Sequence, residues 1–466
     1  MVDQATIAEL ATTFRGDLVK PGDAAYDSAR RVYNAMIDRR PALIARCADV
    51  ADVMRAVRFG REHDTLVAVR GGGHNGGGLG TCDGGMVIDL SRMKGVRVDP
   101  DARTVRVEGG ATWGDVDHAT HAFGMATPAG IISTTGVGGL TLGGGIGHLT
   151  RKCGLTIDNL LEADMVLADG SFVTVGPDRH DDLYWAIRGG GGNFGIVTSF
   201  LFRLHDVDMV SAGPTLWPME QATEVMQFYR DFIVKAPEDL NGFFAMLTVP
   251  PAPPFPAHLH HRKMCGIVWC HAGLSSAFED AFRPVRRFRP PAFEWVGQMP
   301  HPTVQSLFDG LYPPGLQWYW RADFVTTLSD QAIAAHVEHG SQLPTMHSSM
   351  HLYPIDGAAH RVDRTATPFS YRDANWAEVI VGVDPNPANA GAIVAWTRAY
   401  WEATHPFGSG GAYVNFMMDE EPADHIRAAY RENYDRLSSI KRRYDPANVF
   451  RVNQNVRPAA ARSAGA

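Results

Sequence analysis

A single histidine, His74, stands inside a run of glycines between two strand-like segments. The run V-A-V-R-G-G-G-H-N-G-G-G-L-G, residues 67–80, holds seven glycines, and buried strands are predicted at 67–69 and 86–90. Glycines leave no side chain over their amides and can adopt positive φ, so their N–H groups can converge on an anion such as a pyrophosphate. A mobile loop is the other interpretation, but it needs no imidazole. The run therefore predicts a phosphate-binding loop that also presents a histidine.

Further candidates for chemistry lie in the second half of the chain. Glu378 is a lone carboxylate in the apolar segment N-W-A-E-V-I-V, residues 375–381. Desolvation there would raise its pKa toward useful base strength; the alternative is a residue facing solvent from an edge strand. His347 and His351 have the spacing of a metal pair only on a helix, and a strand is predicted there. We therefore expect His351 to line a pocket or to be a hydrogen-bonded core residue, and we expect no metal site.

An aromatic cluster precedes these residues. Trp318, Tyr319 and Trp320 occur in the strand-like segment L-Q-W-Y-W-R at 316–321. Such rings could stack on a planar substrate, although core packing explains them equally well. The residues predicted to line a substrate pocket are Trp318, Trp320, His351 and Tyr353.

The elements that position these residues follow from periodicity. Apolar residues at helical spacing with an acidic start predict a helix over 49–59. Alternating residues on both sides of D-P-D-A predict a hairpin over 96–107, and Thr112 is the predicted cap of the next helix. After residue 205, prolines and aromatics become frequent and short helices alternate with strands. This mixed pattern predicts an α+β domain.

The composition excludes several classes of protein. The chain has 466 residues, 45% of them hydrophobic and 20% charged, enough for two or three domains. Its net charge of -8 argues against nucleic acid as a partner. It has no leader-like start, no apolar run of about 20 residues and five cysteines that fit reduced thiols. We expect a cytoplasmic protein that is soluble, has no membrane partner and is a monomer or homodimer.

Several motifs resemble one flavoprotein family in order and spacing. They are the glycine run with Arg70 and His74, the nine-glycine stretch at 127–154, D-L-Y-W-A-I-R-G-G-G-G-N-F-G-I-V-T at 182–198 and the C-terminal segment 412–455. Together they resemble the berberine bridge enzyme-like group of the vanillyl-alcohol oxidase superfamily. The resemblance extends over about residues 30–456.

This resemblance implies an α+β fold of the PCMH type. It implies a FAD-binding domain of two α/β subdomains over residues 1–206 and an α+β substrate domain with a mainly antiparallel sheet over 207–411. A berberine-bridge-type segment over 412–466 is expected to return to the FAD domain.

The resemblance also implies the cofactor and how it is held. In this family the histidine at the position of His74 carries the flavin through its 8α-methyl group, so FAD with one covalent bond is expected. The further cofactor-binding residues implied by the motifs are Arg70, Gly71, Gly72, Gly73, Asn75, Gly76, Gly77, Thr134, Thr135, Gly136, Gly138, Gly139, Gly143, Gly144, Ile146, Gly195, Ile196, Val197, Asn415, Asn453 and Asn455.

The chain departs from the plant members of the family at three positions. Ile132 stands where many of them have a cysteine that makes a second bond to the flavin, so a second bond is not expected. Cys153 is near in sequence but falls where other members have an aromatic residue or histidine. Thr135 stands at the position that controls oxygen access and implies neither an open nor a closed gate.

The resemblance leaves two candidates for the catalytic base. Plant relatives use the tyrosine of an N-Y pair, and this chain has Asn415-Phe416 instead. Tyr413 is a candidate catalytic group, although on a strand it would face away from the side of Phe416; it could also be a buried, satisfied tyrosine. Glu378 aligns near an active-site acid of some relatives and is the other candidate.

The expected function is a FAD-linked oxidase. It would oxidise a C–O or C–N bond of a small aromatic, alkaloid-like, sugar or secondary-metabolite substrate by hydride transfer to flavin N5, with molecular oxygen reduced to hydrogen peroxide. Two alternatives stay open: a dehydrogenase that uses another acceptor, and a flavin-bearing protein that sequesters a small molecule.

Overall fold

The glycine run begins at the end of a strand in a small four-stranded sheet. The computed structural model describes residues 4–460, and the order of strands in this sheet is β1-β2-β4-β3. Strand β4 pairs in parallel with β2 on one side and with β3 on the other, and β1 pairs with β2 in antiparallel orientation. The elements are α1 (Gln4–Ala11), β1 (Asp17–Val19), α2 (Tyr26–Ala29), β2 (Leu43–Arg46), α3 (Val50–Glu62), β3 (Val67–Arg70) and β4 (Met86–Asp89).

The predicted helix over 49–59 is α3. The Asp49 carboxylate accepts a hydrogen bond from the Asp52 amide and caps the first turn. Val53, Ala56 and Val57 lie on the buried face and pack against the sheet. The helix therefore fixes the strand that leads to the glycine run.

A five-stranded antiparallel sheet forms the second α/β unit, in the order β5-β6-β10-β8-β9. The predicted hairpin is confirmed as β5 and β6, and the Asp115 carboxylate accepts hydrogen bonds from the Thr112 amide and hydroxyl at the start of α4. The elements are β5 (Val96–Asp99), β6 (Thr104–Glu108), α4 (Trp113–His121), β7 (Met125–Ala126), α5 (Val137–Gly143), α6 (Thr150–Cys153), β8 (Leu160–Val166), β9 (Phe172–Val175), α7 (Asp181–Ile187), β10 (Ile196–Arg203) and β11 (His205–Asp206).

A large antiparallel sheet follows, in the order β15-β12-β14-β13-β18-β19-β17 with β16 beside β12. One face packs on helices α8, α9, α11 and α12, and the other packs toward the first two units. The elements are β12 (Met209–Pro218), α8 (Ala222–Ile233), β13 (Leu240–Thr248), β14 (Lys263–His271), α9 (Ser275–Phe288), β15 (Phe293–Glu294), β16 (Gly297–Pro300), α10 (His301–Gln305), β17 (Gln317–Val325), α11 (Asp330–Gly340), β18 (Ser349–Pro354), β19 (Trp376–Asp384) and α12 (Ala390–Thr404).

The chain then returns to the second unit through α13 (Ala423–Tyr430) and α14 (Tyr434–Tyr444). Lys441 is fully buried and donates to the Asp445 carboxylate and to the Asn193 and Phe450 carbonyls, at 2.6–2.8 Å. Because an unpaired buried charge is costly, this ion pair ties the C-terminal segment to the turn before β10. No helix within residues 4–460 is long and apolar enough to cross a bilayer.

Candidate active site

A cavity of about 340 Å³ lies where the three sheets and the C-terminal segment meet. Its first half is lined by backbone from glycine loops at 71–73, 136–139 and 191–195. Its second half is lined by side chains of β17, β18 and β19 and by the turn at 413–416. The cavity therefore joins a surface of exposed amides to a surface of aromatic rings.

Two glycine loops touch each other through their backbones. A Cβ atom on Gly72 would lie 2.6 Å from the Gly136 nitrogen, and one on Gly136 would lie 2.4 Å from the Gly72 nitrogen. No side chain fits at either position. Gly73 has φ of +67°, which also favours glycine. The predicted concave loop is therefore built by close contact of two glycine segments.

Most of the predicted cofactor residues line the cavity. They are Arg70, Gly71, Gly72, Gly73, His74, Asn75, Thr135, Gly136, Gly138, Gly139, Ile146, Gly195, Ile196, Val197, Asn415 and Asn453.

Six predicted cofactor residues lie outside the cavity wall: Gly76, Gly77, Thr134, Gly143, Gly144 and Asn455. Three of the glycines have a packing role instead. A Cβ on Gly76 would lie 2.2 Å from the Trp320 ring, one on Gly77 would lie 2.5 Å from the Asp419 amide, and one on Gly143 would lie 2.3 Å from the Asn415 side chain. These glycines let other segments approach closely.

His74 lies at the boundary between the two halves of the cavity. Its ring stacks on Tyr33, with centroids 3.6 Å apart, and its Nε2 is 3.3 Å from the Thr134 hydroxyl oxygen. Burial lowers the pKa of His74 to about 4, so the imidazole is neutral at physiological pH. Tyr33 donates its own hydroxyl to the Tyr312 carbonyl at 2.5 Å. The imidazole is thus neutral, held between Tyr33 and Thr134, and part of the cavity wall.

The aromatic half contains all four residues predicted to contact a substrate: Trp318, Trp320, His351 and Tyr353. The two indole rings are 5.9 Å apart, and Trp320 is 6.2 Å from Phe416. His351 and Tyr353 are joined by a hydrogen bond of 2.6 Å between Nδ1 and the phenol oxygen. His347 precedes β18 and does not line the cavity, and the described residues contain no cluster that could hold a metal ion.

The cavity wall carries almost no charge. Among the described residues, no aspartate or glutamate lines it. Arg70 does line it, but its guanidinium is paired with buried Asp89 at 2.7 Å. A ligand in the aromatic half therefore meets only neutral groups.

Tyr413 lies in the cavity on the same side as Phe416, although on a strand the two side chains would face opposite sides. Residues 414–416 form a short 3-10 turn, so Tyr413 and Phe416 both reach the cavity. The phenol oxygen accepts hydrogen bonds from the Gly145 amide and the Asn415 side chain, each 2.8 Å long. Burial raises the pKa of Tyr413 to about 12. The phenol therefore keeps its proton.

The structure corrects the expectation for Glu378. It is neither solvent-facing nor in the cavity: its neighbour Val379 lines the cavity, and Glu378 points to the opposite face of β19. There it accepts from the Thr404 hydroxyl at 3.0 Å and lies 3.6 Å from His336. The sheet thus separates this carboxylate from any substrate in the cavity.

The structure also locates the three positions at which the chain departs from the plant members of the family. Ile132 and Thr135 line the cavity, whereas Cys153 does not. Cys153 instead lies at the end of α6 and packs on a separate small core.

Several wall residues were not predicted. They are Tyr33, Gly191, Gly192, Phe308, Tyr312, Tyr430 and Gln454, among others. Gly191 and Gly192 belong to the four-glycine run at 189–192, which is a usable signal. Tyr33 precedes every motif and carries no such signal.

The wall fits a large polar ligand such as FAD. A Cβ on Gly139 or Gly192 would meet nothing within 4 Å, so their backbones are open to a ligand. Asn453 and Tyr430 line the cavity, and the Asn453 side-chain oxygen Oδ1 and the Tyr430 hydroxyl are buried without a hydrogen-bond partner among the described residues. Buried polar atoms normally have partners, and a bound dinucleotide would supply them.

Comparison with known proteins gives the class. The "FAD binding domain" family matches residues 41–176, and the "Berberine and berberine like" family matches residues 412–457. The FAD-linked oxidoreductase YgaK of Bacillus subtilis, itself uncharacterised, is 31% identical over 96% of this chain and 98% of its own. The chain is a FAD-linked oxidoreductase. It belongs to the berberine-like family of these flavoproteins.

A second relative and a solved structure also support this family assignment. The (R)-6-hydroxynicotine oxidase of Paenarthrobacter nicotinovorans is 28% identical over 97% of this chain and 99% of its own. The crystal structure of 6-hydroxy-D-nicotine oxidase from Arthrobacter nicotinovorans superposes with a TM-score of 0.86 at 24% identity, covering 96% of this chain and 99% of that one. The predicted PCMH-type α+β fold is thereby confirmed.

Proposed function

We propose that the chain is an oxidase that binds FAD through one covalent bond between His74 and the flavin 8α-methyl group. It oxidises a C–O or C–N bond of a small molecule by hydride transfer to flavin N5, and molecular oxygen is reduced to hydrogen peroxide. When bound, FAD supplies the two-electron acceptor that no side chain provides.

The position of His74 carries this proposal. It is neutral, it is held by Tyr33 on one side and Thr134 on the other, and it faces the cavity between the glycine loops and the aromatic rings. A neutral imidazole is the nucleophilic form. The glycine loops would hold the pyrophosphate of the cofactor through backbone amides, and His74 would hold its flavin.

Other residues of the chain have supporting roles in this proposal. Asn453 and Tyr430 would satisfy their buried polar atoms on the cofactor. Tyr413 keeps its proton and, since its oxygen already accepts two hydrogen bonds, it acts as a donor that orients the substrate or the flavin. The aromatic half excludes water and favours a flat, apolar substrate.

The names of similar proteins include both a hydroxynicotine oxidase and oligosaccharide oxidases, so the choice between these substrate classes rests on the cavity wall. One relative is named an oxidase of 6-hydroxynicotine, an aromatic alkaloid. The neutral aromatic wall of this chain supports an aromatic or alkaloid-like substrate over a polar sugar.

Stopped-flow spectroscopy of the purified yellow protein tests the proposal. A panel of aromatic alcohols and amines is added without oxygen, and a substrate bleaches the flavin absorption. Air is then admitted, and we expect the flavin to reoxidise within the time of turnover, with one hydrogen peroxide per substrate. Slow reoxidation in air with fast reoxidation by a quinone would instead mean a dehydrogenase. Bound flavin that no compound bleaches would favour a sequestering protein.

A further inference from the structure

We propose that His351 and Tyr353 together accept the substrate's hydroxyl proton, and that the substrate is therefore an alcohol carrying an apolar ring rather than an amine. This inference rests on the proposed function, because it concerns the same cavity.

The two side chains are brought together by strand geometry. Alternate residues of β18 share a face, so Ser349, His351 and Tyr353 all line the cavity. On the neighbouring strands, His351 pairs with Ala245 and Val379, which have no polar side chain. The imidazole and the phenol thus form a hydrogen-bonded pair flanked by apolar side chains on the neighbouring strands.

The pair is rigid and is not used elsewhere. His351 Nδ1 and the Tyr353 oxygen are 2.6 Å apart, and the Phe243 ring packs against both, with centroids at 5.4 and 5.1 Å. Within residues 4–460, the hydrogen bond of the His351 ring is the one between Nδ1 and Tyr353, so Nε2 is available to a ligand. Burial lowers the pKa of His351 to about 4 and raises that of Tyr353, so the resting pair is a neutral imidazole and a neutral phenol.

Competing proton acceptors can be eliminated in turn. No carboxylate lines the cavity among the described residues, and Glu378 faces the other side of its sheet. The Tyr413 oxygen already accepts two hydrogen bonds and keeps its proton. Tyr312 donates its hydroxyl to the His347 carbonyl, 3.3 Å away. His74 also lines the cavity, but the proposed function uses it to hold the flavin. Among the described residues of the aromatic half, His351 is thus the remaining imidazole base.

The proton ends on the imidazole in either tautomer. If Nδ1 donates to Tyr353, Nε2 takes the hydroxyl proton directly. If Tyr353 donates to Nδ1, the phenol oxygen takes the substrate's proton while its own proton passes to Nδ1. In both cases the substrate O–H and C–H bonds break, the C–H hydrogen leaves with two electrons to oxidised FAD, and a carbonyl forms.

An amine fits this arrangement less well than an alcohol. A protonated amine is a cation, and the cavity has no carboxylate to pair with it. A neutral amine stabilises the developing cation through its own lone pair and needs no base. An alcohol, in contrast, must lose its O–H proton to an acceptor within hydrogen-bond reach. A neutral base inside a neutral cavity is therefore what an alcohol requires.

Binding of phenol and of anisole to the flavin-loaded protein tests the inference without turnover. Phenol can donate a hydrogen bond to the pair, and its methyl ether cannot. Quenching of tryptophan fluorescence reports both, because Trp318 and Trp320 line the cavity. We expect phenol to bind about tenfold more tightly than anisole, as one hydrogen bond allows. His351→Leu should abolish this preference and Tyr353→Phe should reduce it.

Tyr312→Phe is the matched control, since it removes a phenol from the same cavity but leaves the pair intact. It should keep the phenol preference. Equal binding of phenol and anisole by the unmodified protein, or an unchanged preference in His351→Leu, overturns the inference.

A kinetic arm separates this inference from the proposed function. Anaerobic flavin bleaching is measured with 1-phenylethanol and with 1-phenylethylamine, and we expect the alcohol to be the faster reductant, slowed about 100-fold or more in His351→Leu. Faster bleaching by the amine, with no effect of His351→Leu, overturns the inference but leaves an oxidase. A protein that holds no flavin contradicts the proposed function, and the phenol and anisole comparison, repeated on that flavin-free protein, still reports on the pair.

Discussion

Replacing Glu378 by glutamine should stabilise the protein at neutral and alkaline pH without loss of turnover. Glu378 is 2% exposed, and burial together with Asp323, its partner in register on β17, raises its pKa from 4.5 to about 8. The carboxyl group is therefore protonated in the folded chain at neutral pH, although the unfolded chain would ionise it. Between these two pKa values the carboxyl group must bind a proton when the chain folds, and this lowers the stability of the folded protein as the pH rises.

The size of this effect follows from the two pKa values. For each pH unit above the unfolded pKa of 4.5, the raised pKa lowers the free energy of unfolding by about 1.4 kcal/mol, until the pH reaches about 8. At neutral pH the cost is about 3 kcal/mol, and below pH 4.5 it vanishes. Glutamine has the same shape, can still accept from Thr404 and carries no proton to take up.

Thermal unfolding followed by circular dichroism at several pH values is the assay. The melting temperature of Glu378→Gln should equal that of the unmodified protein near pH 4 and exceed it by a few degrees near pH 8. Glu402→Gln, which removes a carboxylate from the exposed side of α12, is the control and should show no such dependence. Equal melting temperatures at pH 8 would refute the raised pKa, and loss of flavin reduction in a folded variant would return Glu378 to the catalytic machinery.

Three further predictions follow from other contacts. Gly136→Ala should push the two touching glycine loops apart, lower the free energy of unfolding by about 1–3 kcal/mol and lower the flavin-to-protein absorbance ratio. Gly391→Ala, in helix α12 with open space at its Cβ, should lower neither. Lys441→Met leaves Asp445 buried and unpaired, so we expect a loss of about 3–5 kcal/mol, seen as a lower melting temperature. Because His351 is protonated only near pH 4, the rate of flavin reduction should be constant from pH 6 to 9 and fall below about pH 5; a midpoint near 6.5 would contradict the lowered pKa.

The sequence predicts the parts of the site that depend on backbone chemistry. The glycine run, its flanking strands and the helix before it are recognisable because glycine and helical periodicity have few other uses. His351 and Tyr353 are both among the residues predicted to line a pocket, and both do so because residues two apart on a strand share a face.

The face of Glu378 could not be predicted, because β19 is buried on both sides and shows no alternation of apolar and polar residues. Strand parity gives the wrong side for Tyr413, because residues 414–416 form a 3-10 turn instead of the assumed strand; its catalytic role stays a prediction. The glycines at 76, 77 and 143 could not be told from cavity glycines, since close packing and ligand contact make the same demand for a missing side chain. The domain limits at 206 and 411 stay predictions.

The most direct test of the account is to find the residue that carries the flavin. The protein is precipitated with acid, washed and digested with trypsin, and the yellow peptides are sequenced by mass spectrometry. We expect flavin to stay with the protein and to lie on the peptide of residues 71–92, with fragmentation placing it on His74 and not on Cys82. His74→Ala should release all of its flavin into the acid supernatant. Flavin released from the unmodified protein, or found on the Cys153 peptide, would contradict the single covalent bond on His74.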